Sequence, residues 1–202
     1  MKSLIILLCS ALIGVVALPA SAAEASPDAL VKAVADDVLN VVRTVKDKRQ
    51  LRELAEQKVL QHFDFRAMTQ LAVGRHWREA TPAQQKALED AFRSLLVNTY
   101  TTSLNLTASG KETIDVKPVD PKNATDVVVQ TIVRSPNRPQ PVTVDYRMAK
   151  GPDGWKVYDV VVENLSLVTN YRGSFASEIQ RSGIDGLVKV LENKNRELAQ
   201  TG

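Results

Sequence analysis

The spacing of apolar residues changes near Ser109-Gly110, and that change limits the fold more than any other feature. Before it, apolar positions recur every three or four residues; after it, they alternate. A period near 3.6 buries one face of a helix, and a period of two buries one face of a strand. Helices gathered first, strands second and helices again at the end predict an α+β fold, not alternating βαβ units.

The elements follow from local signals. Ser26-Pro27-Asp28 reads as an N-cap, a proline at the first helical position and an acid in the first turn. The stripe Val31, Val34, Val38, Val41, Val45 continues that helix, widened by Leu30 and Val42. Leu51, Leu54, Ala55 and Val59 predict a second helix ending near His62, and Asp64 caps a third that Gly74 closes. Thr81-Pro82-Ala83-Gln84 is a capping box. The helix it opens carries Leu88, Phe92, Leu95, Leu96 and Tyr100 and extends towards Leu104. Its wide apolar face predicts a central position.

Ile114 and Val116, then 125–133, then 142–148, then the run from Trp155 predict four strands. Short turns between them, such as Gly151-Pro152-Asp153-Gly154, make the sheet antiparallel. Two helices, 170–180 and 184–198, are predicted to end the chain.

The first residues read as an export signal. Lys2 precedes an apolar run, Leu4 to Leu18, of about 15 residues, short of the roughly 20 that span a bilayer. Small residues at Ala20 and Ala22 supply an A-x-A cleavage pattern. Residues 1–22 are therefore predicted to be a cleaved signal peptide and 23–202 a single domain. Cys9 lies inside the apolar run, preceded by Ile6, Leu7 and Leu8, and is not placed like a lipoprotein cysteine. It leaves with the signal, so no disulfide staples the mature chain and its core alone must hold it. Roughly 180 residues suffice for that. A formal net charge of +3, lowered by one when Lys2 is removed, gives no footprint for nucleic acid.

Absent motifs exclude several chemistries. The only histidines are His62 and His76, and without cysteine or an HExxH pair the chain lacks a zinc ligand set. GxSxG, GxGxxG and GxxxxGK[ST] do not occur. His76, among the charges of GRHWREATP, reads as a surface or helix-end residue. Asp145 alternates with apolar neighbours and should face solvent. Asp159 shares the parity of Trp155 and Val157, so it could point inward and, beside Tyr146 or Tyr100, act as a general base with a raised pKa. The plainer expectation is that Asp159 meets an arginine or caps backbone near the sheet edge. Valine and alanine dominate the faces and aromatics make up 5% of the chain, which mildly favours a hollow interior over a filled one, though composition alone leaves both open.

The segments FDFRAMTQLAVGRHWREATPAQQKALEDAFRSLLVNTY (Phe63 to Tyr100) and GWKVYDVVVENLSLVTNYRGSFASEIQRSGIDGLVKVL (Gly154 to Leu191) resemble the MlaC, or toluene-tolerance auxiliary, family. LAVGRHWREATPAQQ, WKVYDV, NLSLVTNYR and SGIDGL are the most specific pieces, and none is catalytic. The chain departs from the family pattern at Asn164-Leu165, where Gly-Val is expected before Ser166. The resemblance implies a nuclear-transport-factor-two-like cone, a curved sheet wrapped by helices. It implies a periplasmic carrier of phospholipid in the Mla lipid transport system, with the acyl tails inside and the head group outside. Partners implied are an inner-membrane ABC transporter with a lipid-binding ring and an outer-membrane lipoprotein–porin complex. Phospholipid would be cargo; no cofactor or metal is expected, and a monomer is.

Pattern and resemblance together select the lipid-contacting residues. The strands contribute Val142, Val144, Tyr146, Met148, Trp155 and Val157. The central helix contributes Phe92, Leu95, Leu96 and Tyr100, and Val38, Leu71, Leu165 and Leu167 complete the wall or mouth. Tyr171 and Arg172 are candidates for the head group. The alternative from another class is an enzyme of the same cone fold, isomerase- or dehydratase-like, using Asp159 and Tyr146 on a small substrate.

Overall fold

The computed structural model describes residues 25–45, 47–107 and 111–201. The predicted signal peptide, with Cys9 and its cleavage site, lies outside them, as do Ser109 and Gly110.

Among the described residues five α-helices flank one sheet: α1 Pro27–Thr44, α2 Lys48–Val59, α3 Phe65–Val73, α4 Pro82–Thr107 and α5 Arg172–Thr201. Their starts obey the expected capping chemistry, with one exception. The Asp47 side chain accepts from Gln50 N, and Asp64 Oδ1 accepts from Ala67 N at 2.9 Å. The capping box is formed: Gln84 N donates to Thr81 Oγ1 at 3.3 Å and Thr81 N to Gln84 Oε1 at 3.0 Å. Ser26 is the exception. It makes no side-chain cap to the helix; its hydroxyl bonds the Asp28 carboxylate and helps hold that group below the ordinary carboxylate range. Gly74 closes α3 with φ 65, a conformation that favours glycine. Gly183, with φ 72 and ψ −178, breaks α5 into arms 172–182 and 184–201, which correspond to the two final helices expected.

The sheet has five strands in the order β1-β2-β3-β4-β5, all antiparallel: β1 Thr113–Val116, β2 Asp126–Ser135, β3 Arg138–Gly151, β4 Gly154–Val162 and β5 Leu165–Ser166. The fifth strand, two residues long, escaped the sequence pattern because alternation cannot be read over two positions. A tight turn through Glu163 (φ 49) and Asn164 (φ 69) forms it, the left-handed pair that a two-residue hairpin needs.

Two apolar clusters result. One is wholly helical: Met68, Ala72, Val73, Trp77, Leu88, Phe92, Leu95, Leu96, Phe175 and Leu187 among others, joined by Val168. The other joins the sheet to α1: Val31, Val129, Met148, Trp155 and Val157. Phe63 packs against both. It bridges to Val157, and Asp64 N donates to Val157 O at 2.8 Å, which pins the start of α3 to the edge of β4.

Candidate functional site: the inner face of the sheet

Residues paired across antiparallel strands lie on one face. The register therefore assigns an inner face, towards α1, in rows. Ile114, Val133 and Val142 form the first. Val116, Thr131, Val144, Val162 and Leu165 form the second. Val129, Tyr146 and Val160 form the third, and Val127, Met148 and Val157 the fourth. Trp155, opposite Lys150, ends the series.

Burial divides these rows. At the Trp155 end, Val129, Met148, Trp155 and Val157 are buried beneath Val31 and Leu30 of α1 and beside Phe63. At the other end, Ile114, Val133, Val142, Val144, Val160 and Val162 are only half-buried, and Leu165 is 55% exposed. Thr131 is the one polar member there, and its hydroxyl donates to Val144 O at 2.7 Å. The face is thus closed at one end and open at the other. A cleft of about 340 Å³ opens beside the first row, between α1 and β1, lined by Leu39, Ile114 and the charged Asp36, Arg43 and Glu112. Tyr146 stands between the two ends. It keeps accessible surface, yet desolvation pushes its phenol above the ordinary range.

A β-bulge corrects one sequence expectation. Arg147 pairs with Asp159 but Met148 pairs with Val157, so Tyr158 is an extra residue in β4 and parity flips there. Asp159 leaves the face of Trp155 and Val157 for that of Asp145 and Arg147, opposite Tyr146. The two cannot act as a pair on one substrate. Asp159 is fully buried and fully engaged: the Ser166 hydroxyl lies 2.8 Å from both carboxylate oxygens, and Arg147 Nη1 lies 3.5 Å from Oδ2. Ser166 Oγ in turn accepts from Thr169 N at 2.9 Å. The carboxylate meets Arg147, as the plainer expectation had it, and through Ser166 it also fastens the β5 turn to the sheet. The inner-face valines that sequence reading missed, Val160 and Val162, lie beyond the bulge. Three consecutive valines hide the parity, and the only sequence sign was a charged residue at an apparently inward position.

The other candidates separate from the sheet. Phe92, Leu95 and Leu96 are buried in the helical cluster, and Leu71 and Tyr100 pack against it. Val38 is half-buried on the α1 stripe, and the Leu167 amide donates to Val160 O at 2.8 Å. Tyr171 turns inward, edge-on to Phe92 with centroids 5.2 Å apart, and bonds the Tyr100 hydroxyl. Arg172 donates from Nε to Leu71 O at 3.0 Å, across the end of α3. Leu95 and Tyr171 line a second groove, about 410 Å³, between α4 and α5 with Phe175, Leu187 and Val190. His76 sits in the 3-10 turn at the end of α3, the helix-end and not the surface alternative of the sequence reading; it is buried, and its Nδ1 lies 2.7 Å from Glu79 Oε2. Its apolar neighbour Trp77 is drawn inward with it. Among the described residues no group of three or more acids, histidines or cysteines could hold a metal, and no helix is long and apolar enough to cross a membrane.

Comparison with known proteins now adds to the geometry. The profile of the family described as "MlaC protein" matches residues 32–193. The intermembrane phospholipid transport system binding protein MlaC of Haemophilus influenzae is 22% identical over 178 residues, covering 84% of this chain and 82% of that protein. A phospholipid-binding protein from Ralstonia solanacearum, solved in complex with a phospholipid, is 38% identical, with a TM-score of 0.77 over 87% of this chain and 99% of its own. A profile match over most of the length, together with a solved relative of this identity and coverage, places the chain in the MlaC protein family.

Proposed function

We propose that this protein is a phospholipid carrier that moves lipid between membranes. The observation that carries this reading is the phospholipid held by a relative 38% identical over 87% of the chain. The half-open valine face supplies the physical counterpart. Each buried CH₂ is stabilised by about 0.8 kcal/mol against water. Two tails of about fifteen carbons would therefore cost on the order of 20 kcal/mol to carry naked through an aqueous space. An apolar sleeve removes that barrier, because transfer exchanges one apolar surrounding for another. Net direction then comes from partners, and the carrier needs no reacting group.

In this reading the tails lie along Val142, Val144, Tyr146, Val160 and Val162, with Leu165 at the rim and the head group outside. The helical cluster supports the wall and does not line it. The protein acts in the periplasm after loss of its signal peptide, as a non-enzymatic component, and exchanges cargo with an inner-membrane ABC transporter ring and an outer-membrane lipoprotein–porin complex. Purified mature protein, extracted with organic solvent and analysed by mass spectrometry, should release about one host phospholipid per chain. Protein that is empty as isolated, and that accepts no lipid from vesicles, would refute the carrier reading.

A further inference from the structure

Along α3 and the 3-10 turn Gly74–Arg78 that follows it, every exposed base is an arginine. Residues three apart in a 3-10 turn eclipse one another. Arg75 and Arg78 therefore project together, while His76 and Trp77 are buried between them. Two further arginines extend the pair. Arg172 runs beside Gly74, where an added Cβ would lie 3.4 Å from its Nε. The Arg66 guanidinium lies 5.2 Å from the centroid of the Trp77 ring. The result is an arc in the order Arg172, Arg75, Arg78, Arg66.

None of the four is neutralised. Arg172 is held by a backbone carbonyl and Arg66 by the Gln85 amide oxygen at 3.1 Å, both uncharged. Among the described residues Arg75 and Arg78 meet no carboxylate. The one acid between positions 65 and 80 is Glu79, already bonded to His76. The turn that carries Arg75 and Arg78 packs on α3 and α5.

We propose that this arc docks the protein on anionic phospholipid bilayers. A protein partner is usually held by mixed charges that fix register and by a central apolar anchor. The arc is made of arginines, with Glu79 the one acid beside it, and Trp77, the large apolar residue in its turn, is buried. An anionic leaflet offers a uniform negative potential that needs neither, and arginine forks match phosphate oxygens bidentately. Each base near such a surface strengthens adsorption about fivefold. Adsorption is weak enough for the carrier to leave, and independent of whether cargo is held.

The test is cosedimentation of the full mature protein with vesicles of phosphatidylcholine alone or with about 30% phosphatidylglycerol. Wild type should adsorb to the anionic vesicles and not the neutral ones, and about 0.5 M salt should release it. Arg75→Glu/Arg78→Glu should lose adsorption at least ~20-fold with an unchanged melting temperature, and Arg75→Lys/Arg78→Lys should keep most of it. Val144→Trp, altered on the inner face of the sheet, should adsorb like wild type, which separates docking from cargo uptake. Equal binding to both vesicles, or full adsorption of the double glutamate variant, would overturn the proposal. So would failure on anionic vesicles combined with arginine-dependent retention on immobilised polyglutamate, which would assign the arc to an acidic protein instead.

Discussion

The helical cluster and the inner face of the sheet are both apolar, yet the first buries its largest side chains beside a surface groove while the second leaves most of its valines only half-buried. In the helical cluster Phe92 meets Tyr171 and Phe175 edge-on, each with centroids 5.2 Å apart, and Leu88 and Leu187 fill the remaining space. On the sheet, closure is confined to the end where Trp155 and Met148 reach α1. Beyond them the face is mainly valine, and a helix packs about 10 Å from a surface. Val129 and Val157 are buried where Met148, Trp155 and Phe63 pack beside them. Residue volume, more than hydrophobicity, decides which apolar face becomes core and which stays a cleft.

The largest expected effect lies in the closed region. Phe92 is fully buried, with two ring partners. Phe92→Ala removes the ring and leaves a cavity, at a cost of about 3–5 kcal/mol in urea unfolding of delipidated protein. Bound lipid per folded molecule should stay near wild type. If occupancy collapsed while the fold survived, Phe92 would belong to the cargo wall after all.

Val144→Trp inverts that pattern. In solid core an indole at this half-buried position would overpack and cost roughly 1–3 kcal/mol. In the cleft it occupies space meant for acyl carbons, so stability should change by under about 1 kcal/mol while bound lipid falls several-fold. A large loss of melting temperature with full occupancy would place Val144 in ordinary core.

The same contrast explains what could be read from sequence. Helix starts at Asp64 and Thr81, the Gly74 stop and the alternation in β3 are local signals, and each lies where the pattern put it. The separation of Phe92, Leu95 and Tyr100 from Val144 and Tyr146 is tertiary. Both sets are equally apolar, and nothing local says that two faces pack on different neighbours. The bulge at Tyr158 falls between these cases. It reverses the parity of everything after it, and VVV at 160–162 satisfies either parity. The burial of His76 is hidden in the sequence because its charged neighbours dominate the stretch, whereas the 3-10 turn alternates their directions.

A smaller effect tests the face that Asp159 occupies. Asp159→Asn keeps an acceptor for the Ser166 hydroxyl and loses the charge facing Arg147, whose side chain is 44% exposed. A cost of about 1 kcal/mol is expected, with lipid binding within a few-fold of wild type. Transfer that vanished in a folded, lipid-loaded Asn variant would return this residue to the functional site.

The smallest effect is a titration, and it reads the two regions in one experiment. Burial pushes the Tyr100 phenol up to about 12, helped by the charge and hydrogen bond of Tyr171. Burial pushes Tyr146 up as well, and no neighbouring group contributes. A phenol raised above its unfolded value near 10 stabilises the fold fully below that pH, and the contribution is lost as pH rises from there through the folded value. Both regions should therefore weaken together in base. They differ in what lipid does. Tyr100 owes part of its shift to a protein partner that stays in place when cargo leaves. Tyr146 owes its shift to exclusion of water, and acyl chains along the half-open face exclude more of it. Phenolate absorbance of loaded and delipidated protein should show one component that titrates lower after extraction. That component should be missing from Tyr146→Phe and present in Tyr100→Phe. A lipid-sensitive component that survives Tyr146→Phe would mean the tails lie elsewhere, and loss of it in Tyr100→Phe would move them to the helical side.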